Sequence, residues 1–253
     1  MEREEVTIND IAKEAGVSKA TVSRVLNNPE KVAKKTREKI LRVIQEKNYR
    51  PNPIARSLTT RRTGVIGVVV SDITNPFYAV MVRSIEEVCR SYQYHIFLCN
   101  TDGREEEEEL YVKSLIEKKV DGIILGATLM NDQEIQSLAQ TQTPMIFVSR
   151  LPENREQYDY VIVDSVLGGY LATKYLLSLG HTKIAYLGGH WPTSSNLERL
   201  EGYKRALEEA GIEARNEYIY CGEFRMENGY REGIKILRAG KYRPTAVFSA
   251  NDA

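Results

Sequence analysis

The chain has 253 residues, 42% hydrophobic and 28% charged, and its 35 Lys and Arg balance 35 Asp and Glu. That length exceeds one ordinary domain and allows most of the surface to be buried. Cys89, Cys99 and Cys221 are too few and odd in number for a disulfide framework; no charged-then-apolar leader opens the chain, and no apolar run approaches the roughly 18 residues a bilayer span needs, so a cytoplasmic protein with reduced thiols is expected.

The charge is unevenly placed. Residues 1–63 hold 15 Lys and Arg against 8 Asp and Glu, about +7, leaving about −7 for the rest. A basic head of this kind is the footprint of a nucleic-acid partner. Residues 6–26, VTINDIAKEAGVSKATVSRVL, predict two short helices around a glycine turn. Thr7 with Asp10 three residues on, then Ile8, Ile11, Ala12 and Ala15 at helical spacing, is a capping box opening an amphipathic helix. Gly16 supplies the left-handed backbone of a tight turn. Ser18 caps a second helix whose Val22, Val25 and Leu26 face inward, leaving Lys19, Ala20, Ser23 and Arg24 outward. A helix pair of this build docks with the start of its second helix in the DNA major groove. Arg24 can fork onto guanine N7 and O6, and Ala20 can pack on a thymine methyl. Lys19 suits a base or a phosphate, while Thr21 and Ser23 can bond phosphate oxygens; Thr7, Ser18 and Asn27 complete the expected contact set. The competing reading is a small helical subdomain whose Arg24 pairs with a carboxylate. Lys34, Lys35, Arg37 and Lys39 open a third helix with Ile40, Leu41, Val43 and Ile44 on its apolar side, which favours a compact head over residues 1–50.

Residues 51–63 are expected to be a hinge. In NYRPNPIARSL (48–58), Asn52 is an N-cap, Pro53 fits the first helical position, and IARSL allows less than two turns. So short a helix is marginal alone in water, and a second copy or a DNA groove would have to fold it. Arg56, Arg61 and Arg62 would lie near phosphates, and Ala55 and Leu58 are small and apolar enough to enter a minor groove, where a wedge kinks the duplex. An ordinary linker with two prolines is the equal alternative.

The runs TINDIAKEAGVSKATVSRVLNN, TREKI and NYRPNPIARSL, in that order and spacing, closely resemble the LacI/GalR family of bacterial transcription regulators. The resemblance implies a homodimer on a near-palindromic operator, held in the cytoplasm at the nucleoid, with Lys19, Ala20 and Arg24 at the major-groove positions. It also implies that Leu58 is the hinge leucine that wedges, with its dimer mate, into the central step.

From Gly64 short apolar runs alternate with amphipathic stretches: VIGVVV at 65–70, HIFLC at 95–99, DGIIL at 121–125, MIFVS at 145–149, YVIVD at 160–164, KIAYLGG at 183–189 and TAVFSA at 245–250. Buried strands at that rhythm mean βαβ units and parallel sheets covered on both faces. The expected fold is thus α plus α/β: a three-helix helix-turn-helix head, a short hinge helix and a doubly wound parallel-sheet sensor. The resemblance makes that sensor two-lobed, like periplasmic sugar-binding proteins, with lobes at 64–161 and 162–253.

Such sheets bind ligands beyond the carboxyl ends of their strands. After the first strand, SDITNPFY offers Asp72, Asn75, Phe77 and Tyr78, an aromatic beside polar groups; Asn75 and Pro76 read equally as N-cap and first helical residue. Arg150 and Asp164 end two strands and can face the cleft or close loops. Ser195, Asn196 and Arg199 fall in the first turns of the helix after the GG turn. The resemblance makes Arg199 the foremost effector contact and matches Asn251 to a second pocket position. The family's chain returns to the first lobe near its C-terminus, whereas this one stops just after a strand, so a truncated second lobe with an open sheet edge is expected, such edges inviting pairing.

His95, His181 and His190 show no ligand spacing, and the acidic run Glu105 to Glu109 reads as the solvated start of a helix; no metal site and no cofactor are expected. There is no GxSxG elbow and no GxxxxGK[ST] loop, so an enzyme is not expected. The reading that results is a DNA-binding regulator, a repressor, switched by a sugar or related metabolite. The alternative is a global carbon-control regulator answering to a phosphocarrier protein.

Overall fold

Ile11, Ala15, Val22 and Ile40 have no solvent-accessible surface, and burying them against one another is what folds the first 50 residues. The structure, a computed structural model, describes residues 6–50, 62–126, 135, 137, 138, 141–149, 155–189, 193–222 and 225–251. Two compact units divide at Thr63 and Gly64. Asn52, Ala55 and Leu58, the expected hinge contacts, and Arg150 lie outside the described residues.

In the first unit α1 (Ile8–Ala15), α2 (Lys19–Asn27) and α3 (Lys34–Glu46) surround one apolar cluster of Ile11, Ala12, Ala15, Val22, Val25, Ile40 and Val43, with Leu26 and Ile44 packed at its margin. Gly16 ends α1 at φ 63°, and Val17 N–H reaches back to the Ala12 carbonyl at 3.0 Å, closing the turn that aims α2. Leu41, expected inside, is 47% exposed. It follows Ile40 by one residue, a rotation of about 100° that carries it off the buried stripe.

The second unit holds two parallel sheets. In the first lobe β1 (Val65–Val70), α4 (Pro76–Ser91), β2 (His95–Asn100), α5 (Glu105–Glu117), β3 (Gly122–Leu125), β4 (Met145–Val148) and β5 (Asp159–Val161) form a five-stranded sheet in the order β2-β1-β3-β4-β5. Every pairing is parallel, and β1 lies between β2 and β3, Val68 opposite Leu98 on one side and Ile124 on the other. Side chains alternate across β1: Val69 joins Val112 and Leu115 of α5, while Val68 and Val70 join Val82 of α4. Helices therefore cover both faces, as the unbroken VIGVVV run requires.

In the second lobe α6 (Ser165–Ser178), β6 (Ile184–Gly188), α7 (Ser194–Glu209), β7 (Ile219–Cys221), α8 (Met226–Leu237) and β8 (Ala246–Ser249) give a three-stranded parallel sheet, β7-β6-β8. The helices α6 and α7 cross at touching distance. A Cβ on Gly169 would lie 2.2 Å from the Arg199 carbonyl oxygen, and one on Gly202 would lie 2.0 Å from that of Val166. Backbone meets backbone there, which only glycine permits.

Two strands differ from expectation. The YVIVD run forms β5 only over Asp159–Val161, and all three of its residues are exposed. Having β4 as its sole neighbour among the described strands, it has nothing on its other side to bury Val161 or Val163. The strand β7 has no counterpart among the apolar runs, because three residues bounded by polar neighbours give no such run.

Candidate DNA-reading face and effector cleft

The face of α2 opposite the cluster is built from its cap outward. Ser18 Oγ accepts the Thr21 N–H at 3.2 Å and lies 2.9 Å from Thr21 Oγ1, so the helix start is fixed and the Thr21 hydroxyl is already engaged. Ser18, Lys19, Ala20, Arg24 and Asn27 are exposed, and Ser23 is half-buried. Asn27 Nδ2 donates back to the Ser23 carbonyl at 3.0 Å, which leaves its oxygen outward. Among the described residues no carboxylate pairs with Lys19 or Arg24, whereas Lys47 bridges Glu14 at 3.4 Å and Lys34 reaches Glu38 at 4.0 Å. The subdomain reading, in which Arg24 is neutralised by a neighbour, finds no partner there. Of the basic residues opening α3, Arg37 is directed at the Pro29 carbonyl at 3.4 Å.

Thr7 stands at the α1 cap, where its N–H and hydroxyl both donate to Asp10 Oδ2, at 2.9 and 2.7 Å. That hydroxyl, then that N–H, hold the Asp10 carboxyl below its ordinary value. Thr7 therefore keeps α1 in place, and its side chain is committed to Asp10.

In the second unit the strand exits carry the polar side chains. Asp72 Oδ1 accepts from the Thr74 N–H and hydroxyl at 2.9 and 2.6 Å, ordering the loop after β1. Asn75 is the N-cap of α4, its Oδ1 accepting the Phe77 N–H at 3.0 Å. Capping commits one lone pair of the side-chain oxygen and leaves the Nδ2 donor for the expected effector role. Phe77 is 53% exposed, on the same helix stripe as Val80, Val88 and Tyr92, while Tyr78, edge-on to it with centroids 5.2 Å apart, packs inward beside Val68 and Val70. Of the two rings expected at this exit, Tyr78 packs into the lobe and Phe77 stands exposed.

Asn196 has no exposed surface; its Oδ1 accepts from Tyr186 Oη at 2.8 Å and Gly189 N–H at 2.9 Å, tying the start of α7 to the end of β6. Its buried Nδ2 has no hydrogen-bond partner among the described residues, so a positioning role for Arg199 one turn later stands beside the expected effector contact. Burial, then the nearby Cys221 thiol, pushes the Tyr186 phenol well above its ordinary value, and the Arg199 guanidinium opposes that rise. Arg199 is half-buried and has no salt-bridge partner among the described residues. Asn251, just past β8, accepts the Ser249 hydroxyl on its carbonyl at 2.7 Å, leaving its buried Nδ2 unbonded among the described residues.

Sequence reasoning missed Asn100, Tyr186 and Arg225. Asn100 directly follows an apolar run and could have been found by the strand-exit rule; Arg225 follows the unrecognised β7. Among the described residues no group of His, Cys, Asp and Glu is arranged to hold a metal, and no helix is long and apolar enough to cross a membrane.

A helix-turn-helix head with a charged outer face, followed by two like-wound α/β lobes, defines a DNA-binding regulator that carries its own sensor. The bacterial regulatory proteins of the lacI family match residues 7–52, and the periplasmic binding proteins and sugar binding domain of that family match residues 63–253. DegA, a transcriptional regulator of Bacillus subtilis (strain 168), is 39% identical over 248 residues, 97% of this chain and 73% of DegA. The transcriptional repressor PurR of Vibrio vulnificus (strain CMCP6) is 40% identical over 247 residues, with the same coverage. The lac repressor dimer bound to operator and the anti-inducer ONPF superposes with a TM-score of 0.84 at 27% identity, across 98% of this chain and 74% of that one.

The chain belongs to the LacI family. It is a DNA-binding transcriptional regulator with an effector-binding sensor domain, and these relatives are regulators, not enzymes.

Proposed function

We propose that residues 1–50 read one half of a near-palindromic operator, that residues 51–63 serve as the hinge, and that lobes 64–161 and 162–253 hold a sugar-like effector between them to switch a repressor. The observation that carries the DNA half is the outer face of α2: Lys19, Ala20 and Arg24 stand exposed on a helix whose Val22 and Val25 are buried. Arg24 supplies a bidentate donor for guanine, Ala20 a surface for a thymine methyl, and Lys19 a base or phosphate contact. Ser18, Ser23 and the outward oxygen of Asn27 border the backbone path, while Thr7 and Thr21 contribute by holding helix starts. Asn52, Ala55 and Leu58 would engage the minor groove from the hinge. The protein would act where the chromosome lies, in the bacterial cytoplasm.

For the sensor, Arg199 is the primary effector contact, suited to hydroxyls, carboxylate or phosphate, with Asp72, Asn75, Phe77, Asn196 and Asn251 as further contacts and Arg150 as a further strand-exit candidate. A sugar-like ligand accords with the sugar-binding family that matches this region. A homodimer is supported by the apolar outer stripe of α4, where Val80, Val88 and Tyr92 are 67%, 58% and 74% exposed, next to exposed Phe97 and Leu98 on the end strand β2.

A thermal-shift panel of sugars and sugar phosphates on wild type and Arg199→Ala tests the sensor. A ligand at 100 times its Kd adds about 2.7 kcal/mol to stability, so one compound should raise the wild-type melting temperature by several degrees and leave the variant unmoved. If no small molecule shifts the wild type, the sugar reading fails and a phosphocarrier protein becomes the partner to test.

A further inference from the structure

The two lobes are wound alike: β2 and β3 flank β1 as β7 and β8 flank β6. The exits of the equivalent flanking strands β2 and β7 meet across the cleft. Arg225, the residue before α8, donates from Nη2 to the main-chain oxygen of Asp102, 3.3 Å away in the loop after β2. That acceptor is itself held. Asp102 sits at φ 53°, and its Oδ1 accepts from Asn100 Nδ2 at 2.7 Å. Asn100 Oδ1 accepts the Ile73 N–H at 2.7 Å, next to Asp72. A run of hydrogen bonds thus leads from a second-lobe guanidinium, through Asp102 and Asn100, to the loop after β1.

We propose that Arg225 is a positioning residue that sets the approach of the two lobes on the β2–β7 side of the cleft, and with it the conformation of the loop carrying Asp72. Its importance for effector binding rests on the sensor reading above, whereas its effect on the loops does not. Arginine suits this position because its planar guanidinium is weakly hydrated and pre-organised, so it loses less on docking against a carbonyl than a lysine would. A hydrogen bond from a charged donor belongs to the stronger class, and exposure to solvent reduces it.

Amide hydrogen exchange on the full chain without ligand, for wild type, Arg225→Ala and Arg225→Lys, tests this. Arg225→Ala should speed exchange at Ile73, Gly103 and Arg104 roughly fivefold, leave Val69 in β1 and the melting temperature unchanged, and be partly reversed by lysine. Unchanged rates at those three amides would overturn the proposal, as would a change confined to the first turn of α8, or a uniform rise that includes Val69. A wrong sensor reading would show itself separately, as absence of any small-molecule binding to wild type, and would not alter these exchange rates.

Discussion

Asp10 and Asn196 show how single side chains fix the geometry on which both sites depend. Asp10 closes α1 through Thr7, and because its carboxyl is held below its ordinary value, the contribution is present above the unfolded pKa of about 4 and disappears as pH falls through the lower folded value. Exchange of the first-turn amides of α1, followed from pH 5 to pH 2, should rise only below pH 4 in wild type and show no such step in Asp10→Asn. Asn196 is buried with two donors directed at one oxygen. Asn196→Ala leaves Tyr186 Oη and Gly189 N–H without that acceptor, which should cost about 1–3 kcal/mol in denaturant unfolding of the second unit. It should also weaken effector binding, directly or through the placement of Arg199. The capping role of Asn75 was one of two readings open in its local sequence, N-P at a helix start. The burial of Asn196 was not legible, because it depends on Tyr186, ten residues earlier on another element.

Elements were legible where one segment's own pattern decided them. The head helices follow from spacing, caps and Gly16, and six of the strands coincide with apolar runs. The structure departs from the pattern where neighbours decide: β5 is exposed because the sheet ends on it, and β7 is a strand because β6 lies beside it. The α6–α7 crossing is of the same kind, since nothing in GGY or EGY announces that Gly169 and Gly202 face opposing backbone. Gly202→Ala should push α7 off α6 and destabilise the second unit by about 1–3 kcal/mol, with loss of the Arg199-dependent thermal shift. If melting and ligand response were both unchanged, the two helices could not cross so closely.

For the whole molecule, the basic head and acidic body divide the labour between DNA and effector, and the outer face of α4 with β2 offers the surface on which two copies would bring their heads to one operator. Placing charge there, as Val80→Asp with Tyr92→Asp, should convert a dimer to a monomer by sedimentation velocity. Operator affinity should fall far more than affinity for random duplex, because only paired half-sites gain from dimerisation. A double variant that remains dimeric would move the interface elsewhere.

Selection of bound duplexes from a random library, with wild type and Arg24→Ala in parallel, would establish whether α2 reads bases. Wild type should enrich an inverted pair of half-sites containing a fixed guanine, and Arg24→Ala should lose that guanine while keeping the flanking preferences, a change worth about 1–3 kcal/mol per half-site. Enrichment of no symmetric site by wild type, or of the same guanine by the variant, would contradict the assignment of α2 as the base-reading helix and of Arg24 as its reader.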